Sequence, residues 1–318
     1  MTGHIFSDAD FERLRTLRAT DPGVFARVLS ERRRRPVLRG DGQMLIVAAD
    51  HPARGALAVG RNAEAMANRY DLLDRLAVAL SNPRVDGVLG SPDIIDDLAA
   101  LGVLDDKIVV GSMNRGGLRG AAFEMDDRYT GYDVDSMVSA GIDFAKTLIR
   151  VNLGDPGTAP TLRATADAVT RAAQAGLPIM LEPFMSSWQD GRILNDLSTE
   201  AVILSVSIAQ ALGASSSHTW LKLPVVADMD RVMQATTLPT LLLGGDSGAD
   251  PDQTFASWQD ALTLPGVRGL TVGRTLLYPP DGDVAGAVAM AAQMVHPSQV
   301  PAPQDLSTTD RTFSKESR

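Results

Sequence analysis

Eight short apolar segments, each followed by a helical stretch, constrain the fold of this 318-residue chain more than any other feature. The segments are nearly continuous apolar runs, so both faces of each predicted strand are expected to be buried. A parallel sheet covered by helices meets that requirement, and eight strands are the number that closes a (β/α)8 barrel. The predicted strands are 44–50, 86–90, 107–112, 142–152, 177–183, 218–224, 238–245 and 267–273.

An open, doubly wound sheet is the structural alternative to a closed barrel. The first strand, MLIVAAD, is not followed by the glycine fingerprint of dinucleotide-binding sheets, and this favours the barrel. We therefore predict an α/β chain in three parts. These are an N-terminal helical extension over 1–40, a (β/α)8 barrel over 41–296, and a polar, proline-containing flexible tail over 297–318. The stretch 62–81 is predicted to be the helix that follows the first strand.

Composition narrows the class of partner. The formal net charge is −9, which disfavours binding to nucleic acid or to an anionic membrane. The arginine run 32–35 is therefore interpreted as the solvated last turn of a helix rather than as a nucleic-acid patch. The chain has no cysteine and no uncharged apolar run long enough to span a bilayer, so a cytoplasmic protein is expected.

Two lysines within predicted strands are the first candidates for chemistry. The chain uses four lysines against twenty-six arginines, and Lys146 and Lys222 lie in the fourth and sixth predicted strands. Arginine stays charged, whereas a lysine can lose its proton and become an amine nucleophile. Lysine is also rarely buried without a partner or a purpose.

Two carboxylates are predicted to meet these lysines at the carboxyl ends of the strands, where barrels carry their reactive groups. Glu182 ends the fifth strand, between the two lysine strands, and Asp50 ends the first. A neutral lysine can form an iminium with a ketone. Burial, or a second ammonium group nearby, lowers the pKa of a lysine and so favours the neutral amine. Either lysine could be the nucleophile, with Glu182 as general acid and base and Asp50 contacting substrate hydroxyls. A buried ionic network without chemistry is the alternative.

The last two predicted strands end in residues suited to phosphate. Gly244 and Gly245 end the seventh strand, and Gly273 and Arg274 follow the eighth, where barrels commonly bind phosphate beside a short extra helix. No histidine spacing typical of a zinc site is present, so neither a metal nor a cofactor is expected. His51 and the loop 114–120 receive no role from the sequence.

Five segments resemble the strand ends of class I (Schiff-base) aldolases of the deoxyribose-phosphate and tagatose-1,6-bisphosphate aldolase superfamily. They are MLIVAADHPARG, IDFAKTLIRVN, PIMLEPFM, TWLKLPVV and LTVGRTLLYP, in order across residues 44–280. The resemblance implies Lys222 as the Schiff-base lysine, Lys146 as its cationic neighbour and Glu182 as the acid and base. It also implies Asp50 as the strand-one aspartate and Gly245, Gly273 and Arg274 as phosphate contacts.

The chain is also similar to actinobacterial aldolase-like proteins associated with inositol breakdown. That similarity implies 6-phospho-5-dehydro-2-deoxygluconate as the substrate, cleaved to dihydroxyacetone phosphate and malonate semialdehyde. The expected partners are a small sugar phosphate and further copies of the same chain. Deoxyribose-phosphate aldolases carry a second active-site lysine in strand seven, which TLLLGGDSG lacks. Two alternatives stay open: a deoxyribose-phosphate aldolase with a displaced second lysine, and a non-catalytic barrel that binds a sugar phosphate.

Overall fold

A closed barrel of eight parallel strands forms the centre of the protein, which confirms the predicted (β/α)8 fold. The computed structural model describes residues 5–114, 117–245 and 251–297. The strands, numbered β1 to β9, are Met44–Ala48, Gly87–Gly90, Ile108–Ser112, Phe144–Val151, Ile179–Gln189, Arg192–Asn195, Thr219–Leu223, Thr240–Leu243 and Val267–Val272. The barrel order is β1-β2-β3-β4-β5-β7-β8-β9, and β9 pairs with β1 to close it.

Helices surround the barrel and precede it. Numbered α1 to α11, they are Asp8–Thr20, Gly23–Glu31, Arg69–Ser81, Pro92–Ala100, Val134–Ser139, Thr158–Ala175, Thr199–Ala209, Met229–Gln234, Pro251–Ala261, Arg274–Leu277 and Val284–Val295. A 3₁₀ helix, His51–Arg54, follows β1. Within the described ranges, no helix is both long and apolar enough to cross a membrane. Residues 298–318 of the predicted tail lie outside the described residues.

The barrel interior is filled with apolar side chains below its carboxyl end. Phe144 on β4, Met180 on β5 and the partly buried Trp220 on β7 pack in this interior cluster, and Val37 and Leu38 pack against it from the N-terminal segment. Side chains two residues apart on a strand point to the same face. The residue two positions beyond each of Phe144, Met180 and Trp220 therefore also points inward, one layer nearer the mouth.

The arginine run 32–35 joins the N-terminal extension to the barrel, so its interpretation as a solvated helix end is wrong for Arg32, which is buried, and for Arg35, which is partly buried. Arg33 and Arg34 are exposed. Helix α2 ends at Glu31, and the arginine run continues beyond it. Arg32 is buried and donates to Asp143 at 2.5 Å and to the carbonyl of Gly141 at 2.8 Å. Arg35 pairs with the fully buried Asp86 at 2.5 Å. The acidic partners come from the barrel, which spacing along the chain does not reveal.

Two local elements also differ from prediction. Helix α3 begins at Arg69 rather than at residue 62, because the side chain of Asn68 caps it by accepting from the amides of Tyr70 and Asp71. Strand β5 extends beyond residue 183 and turns back into the antiparallel β6. The turn residues Asp190 and Gly191 both have positive φ, 49° and 72°, as the turns of two-residue hairpins require.

Candidate active site

Two lysines and two carboxylates form one buried cluster at the carboxyl ends of four strands. Nζ of Lys146 lies 2.8 Å from Oδ2 of Asp50 and 2.6 Å from Oε2 of Glu182. Nζ of Lys222 lies 2.8 Å from the other oxygen of Glu182, Oε1. Glu182 therefore bridges the two ammonium groups. The four ionisable residues predicted from the sequence are thus brought together, while their catalytic roles stay a prediction.

Strand pairing explains why these side chains meet. Lys146, Glu182 and Lys222 each lie two residues beyond Phe144, Met180 and Trp220 of the apolar interior, respectively, so they form the next layer. Leu181 pairs with Leu221 in the parallel register of β5 and β7, which sets Glu182 beside Lys222. This polar layer is buried above the apolar interior, and because little water screens its charges, the ion pairs within it are strengthened.

The two lysines differ in their electrostatic surroundings. Burial lowers the pKa of Lys222, and although Glu182 opposes this, the charge of Lys146 adds to it, so the net pKa of Lys222 is lowered. Burial also disfavours the charged form of Lys146, but Asp50 and Glu182 both contact this lysine and raise its pKa overall. Lys222 is therefore the lysine that more readily becomes a neutral amine.

Both carboxylates of the cluster are ionised at neutral pH. Burial alone would raise their pKa values, but the adjacent lysines outweigh it. Lys146 and then Lys222 lower the pKa of Glu182 to about 2. The pKa of Asp50 is also strongly lowered, chiefly by Lys146. Burial lowers the pKa of His51 to about 3, so its imidazole is neutral.

A cavity of about 660 Å³ opens above the cluster and is lined by Glu182 and Lys222. The four residues predicted to bind phosphate line the same cavity: Gly244, Gly245, Gly273 and Arg274. A β-carbon at Gly273 would lie 2.9 Å from Cε1 of His51, so the close packing of β9 on the end of β1 requires glycine there. Arg274 begins α10, which occupies the place of the short extra helix expected after the eighth barrel strand.

Arg150 holds a loop over the cavity, and this function was not predicted from the sequence. Its buried guanidinium donates to Oε1 of Glu124 at 2.8 Å and to the two oxygens of Asp127 at 2.9 and 3.0 Å. It also donates to the carbonyl of Gly117 at 3.0 Å. We call residues 117–127 the cover loop. Two features of the sequence could have indicated this contact. One is Arg150 itself, an arginine within a strand, and the other is the acidic pair Glu124 and Asp127 after the glycine-rich segment.

Residues 117–120 of the segment 114–120, left without a role above, are the start of this cover loop. Asn114 exchanges two hydrogen bonds with the backbone of Leu148, at 3.1 and 3.2 Å. Gly117 and Arg119 line the cavity. Residues 115 and 116 lie outside the described residues. His51 also lines the cavity, beside Asp50.

Trp188 and Tyr278 are not among the residues that line the cavity. Nε1 of Trp188 donates to Asp155 at 2.6 Å, and the ring of Tyr278 stacks under the guanidinium of Arg75. Across the described ranges, no group of three or more histidine, cysteine, aspartate or glutamate side chains is arranged to hold a metal ion.

The fold and this cluster define a (β/α)8-barrel protein with a lysine- and carboxylate-lined pocket at the carboxyl ends of its strands. The chain belongs to the Cgl0159-like family, whose model matches residues 42–292. The crystal structure of Cgl0159 from Corynebacterium glutamicum is 69% identical, with a TM-score of 0.91, and the match covers 93% of this chain and 99% of that chain.

More distant solved structures share the fold. An archaeal fructose 1,6-bisphosphate aldolase is 16% identical with a TM-score of 0.58, over 86% of this chain and 100% of that chain. A second archaeal fructose-1,6-bisphosphate aldolase has its catalytic lysine covalently bound to the carbinolamine intermediate of the substrate. It is 18% identical with a TM-score of 0.59, over 86% of this chain and 99% of that chain. No match was found among curated proteins.

Proposed function

We propose that the protein is a class I aldolase that cleaves a phosphorylated ketose through a Schiff base on Lys222. The observation that carries the proposal is the position of Lys222, whose pKa is lowered by burial and whose Nζ lies 2.8 Å from an ionised carboxylate. The barrel shared with a Schiff-base-forming fructose-1,6-bisphosphate aldolase adds support at the level of fold.

The cluster contains the groups that each step requires. Lys222 first gives its ammonium proton to Glu182, and the neutral amine adds to the ketone carbonyl. The carbonyl oxygen then receives one proton from the new N–H and the second from Glu182, and leaves as water. The resulting iminium accepts the electron pair of the C–C bond as Glu182 takes the proton of the hydroxyl on the departing carbon. That carbon leaves as an aldehyde, and the enamine is protonated and hydrolysed to release the ketone and restore Lys222.

Lys146 and Asp50 support these steps without forming bonds to the substrate. Lys146 stays protonated because Asp50 and Glu182 raise its pKa, so it remains a fixed positive charge 2.6 Å from Glu182. That charge keeps Glu182 ionised and favours the neutral form of Lys222. The phosphate of the substrate is assigned to Gly244, Gly245, Gly273 and Arg274, at the ends of β8 and β9.

The finer substrate proposal is 6-phospho-5-dehydro-2-deoxygluconate, giving dihydroxyacetone phosphate and malonate semialdehyde. It rests on the resemblance to aldolase-like proteins of inositol breakdown. The test is aldol addition of dihydroxyacetone phosphate to a panel of aldehydes that includes malonate semialdehyde, with the new ketose phosphate measured by mass. Formation of this product, undiminished after chelation of metals, is expected because an iminium needs no metal as electron sink.

Each alternative predicts a different outcome in the same assay. A deoxyribose-phosphate aldolase would use acetaldehyde, rather than dihydroxyacetone phosphate, as the carbonyl compound that borohydride fixes to the protein. A non-catalytic barrel would bind dihydroxyacetone phosphate without forming product or adduct. Either outcome contradicts the proposal.

A further inference from the structure

The carboxylates that line the cavity are already held by cations. Glu182 contacts both lysines, and Glu124 accepts from Arg150 at 2.8 Å. Among the described residues, no other carboxylate lines this cavity. These two carboxylates therefore do not pair with Arg54 or Arg119, two cations that also line the cavity.

Arg54 is the first of these cations. It ends the 3₁₀ helix after β1 and lines the cavity. Its Nε is buried and has no hydrogen-bond partner within the described part of the chain. A buried guanidinium nitrogen without a partner costs free energy that a bound anion would recover.

Arg119 lies beside Arg54 and is held there by the cover loop. Its backbone amide donates to the carbonyl of Arg54 at 2.9 Å. The next residue, Gly120, donates its amide to Oε2 of Glu124 at 2.7 Å, and Glu124 in turn is fixed by Arg150. The two arginines are thus tied together, and Arg119 also lines the cavity.

The pair and the residues assigned to the first phosphate are contributed by different strand ends, and the two sets approach each other at His51. Gly273 packs against the ring of His51, and the 3₁₀ helix carries the chain from His51 to Arg54. The residues assigned to the first phosphate follow β8 and β9, whereas Arg54 follows β1 and Arg119 lies in the cover loop after β3. Lys222 lines the same cavity as both groups.

We propose that Arg54 and Arg119 form a second anion-binding subsite, which holds a carboxylate or phosphate of the substrate other than the first phosphate. The inference rests on the proposed function for the identity of that first anion. It defines the substrate class as a phosphorylated ketose whose aldehyde half is also anionic. Both anions offer the oxygen pairs that guanidinium groups bind.

The test uses compounds without a ketone, so that binding reports charge recognition alone. Calorimetric titration would compare a hexitol 6-phosphate, a hexitol 1,6-bisphosphate and 6-phosphogluconate. We expect at least one of the two compounds with a second anion to bind about tenfold or more tightly than the monophosphate. Arg54→Gln and Arg119→Gln should each remove most of that preference. Arg163→Gln, which removes an exposed guanidinium from α6, is the matched control and should keep it.

The compound preferred by the wild-type protein identifies the second anion as phosphate or carboxylate. Equal binding of all three compounds would overturn the subsite. A preference that survives in both arginine variants would overturn its assignment to Arg54 and Arg119. Because these titrations need no Schiff base, failure of the aldolase proposal would appear as a missing covalent adduct and is distinguishable from failure of the subsite.

Discussion

Glu182 couples the two lysines, because its two oxygens contact one ammonium group each. Removing Lys146 would therefore change Lys222 in two ways. It would remove a positive charge that lowers the pKa of Lys222, and it would leave Glu182, which raises that pKa, paired with Lys222 alone. Both changes favour the charged, unreactive form of Lys222.

This coupling gives a pH prediction for Lys146→Gln. In the wild-type protein, the rate of Schiff-base formation should rise with pH through the lowered pKa of Lys222, below the range of an ordinary lysine. In Lys146→Gln the same rise should move to higher pH. The measurement is the rate of borohydride-dependent labelling by dihydroxyacetone phosphate against pH. An unchanged or lower midpoint in the variant would contradict the assignment of Lys146 as the cationic neighbour.

The four ionisable residues could be predicted from the sequence because each lies in an apolar strand or just after one, and barrel strands end on a common face. The functions of Arg54 and Arg150 could not be predicted in this way. The partners of Arg150 lie 26 and 23 residues before it, in a loop with no regular pattern. The pairing of Arg54 with Arg119 depends on the path of the cover loop, and that path is defined only in the folded chain.

Among the elements, the cover loop is the one on which the cavity depends most. Gly117 lies against Arg150, Asp127 and the backbone of Glu124, so a β-carbon there would overlap all three. The barrel strands were predictable because their apolar runs are continuous on both faces. The β5–β6 hairpin was missed, although its Asp-Gly turn is a known hairpin signal, because β5 was expected to end at the loop after residue 183.

Gly117→Ala should therefore loosen the cover loop without touching the lysine cluster. We expect it to lower stability by about 1–3 kcal/mol, as overpacking typically does, and to raise KM more than it lowers kcat. Hydrogen exchange in residues 117–127 should quicken in the variant. Leu118→Ala, which truncates a side chain that is 41% exposed, is the neighbouring control. It should leave the hydrogen-exchange rate of residues 117–127 and the KM unchanged. A Gly117→Ala protein with wild-type exchange and KM would show that the loop does not depend on this contact.

At the scale of the whole molecule, Asp86 joins the two ends of the described chain to the barrel. Its fully buried carboxylate accepts from Arg35 and Arg39 of the N-terminal segment and from the amide of Leu45 in β1. It also contacts Nε2 of His296, the residue after α11, at 2.8 Å. Nδ1 of the same ring lies 2.5 Å from Asp41. Both ring nitrogens can donate to carboxylates only when the imidazole is protonated.

This junction predicts a pH-dependent contribution to stability. Burial lowers the pKa of His296, but its hydrogen bonds to Asp86 and Asp41 outweigh burial and raise it overall. A raised pKa means that the stabilisation is complete below the unfolded pKa of about 6.5 and is lost as pH rises through the folded pKa. His296→Gln should therefore destabilise the protein by about 1.5–3 kcal/mol at pH 5.5 and by less at pH 9.

Denaturant unfolding of wild type and His296→Gln at both pH values measures this difference. His218→Gln is the control, since among the described residues the side chain of His218 hydrogen-bonds only to the neighbouring Ser217. A destabilisation by His296→Gln that is equal at both pH values, or larger at pH 9, would contradict a protonated His296 in the folded state.

The central claim, a Schiff base on Lys222, is tested most directly by intact mass after borohydride reduction with dihydroxyacetone phosphate. The wild-type protein should gain one adduct, mapped to Lys222. Lys222→Arg should fold and gain none, because a guanidinium stays protonated and forms no iminium at neutral pH. Lys146→Arg should still gain the adduct, with slower turnover, because a cation remains beside Glu182. An adduct on Lys222→Arg that is absent from Lys146→Arg would contradict the account, since it would make Lys146 the nucleophile.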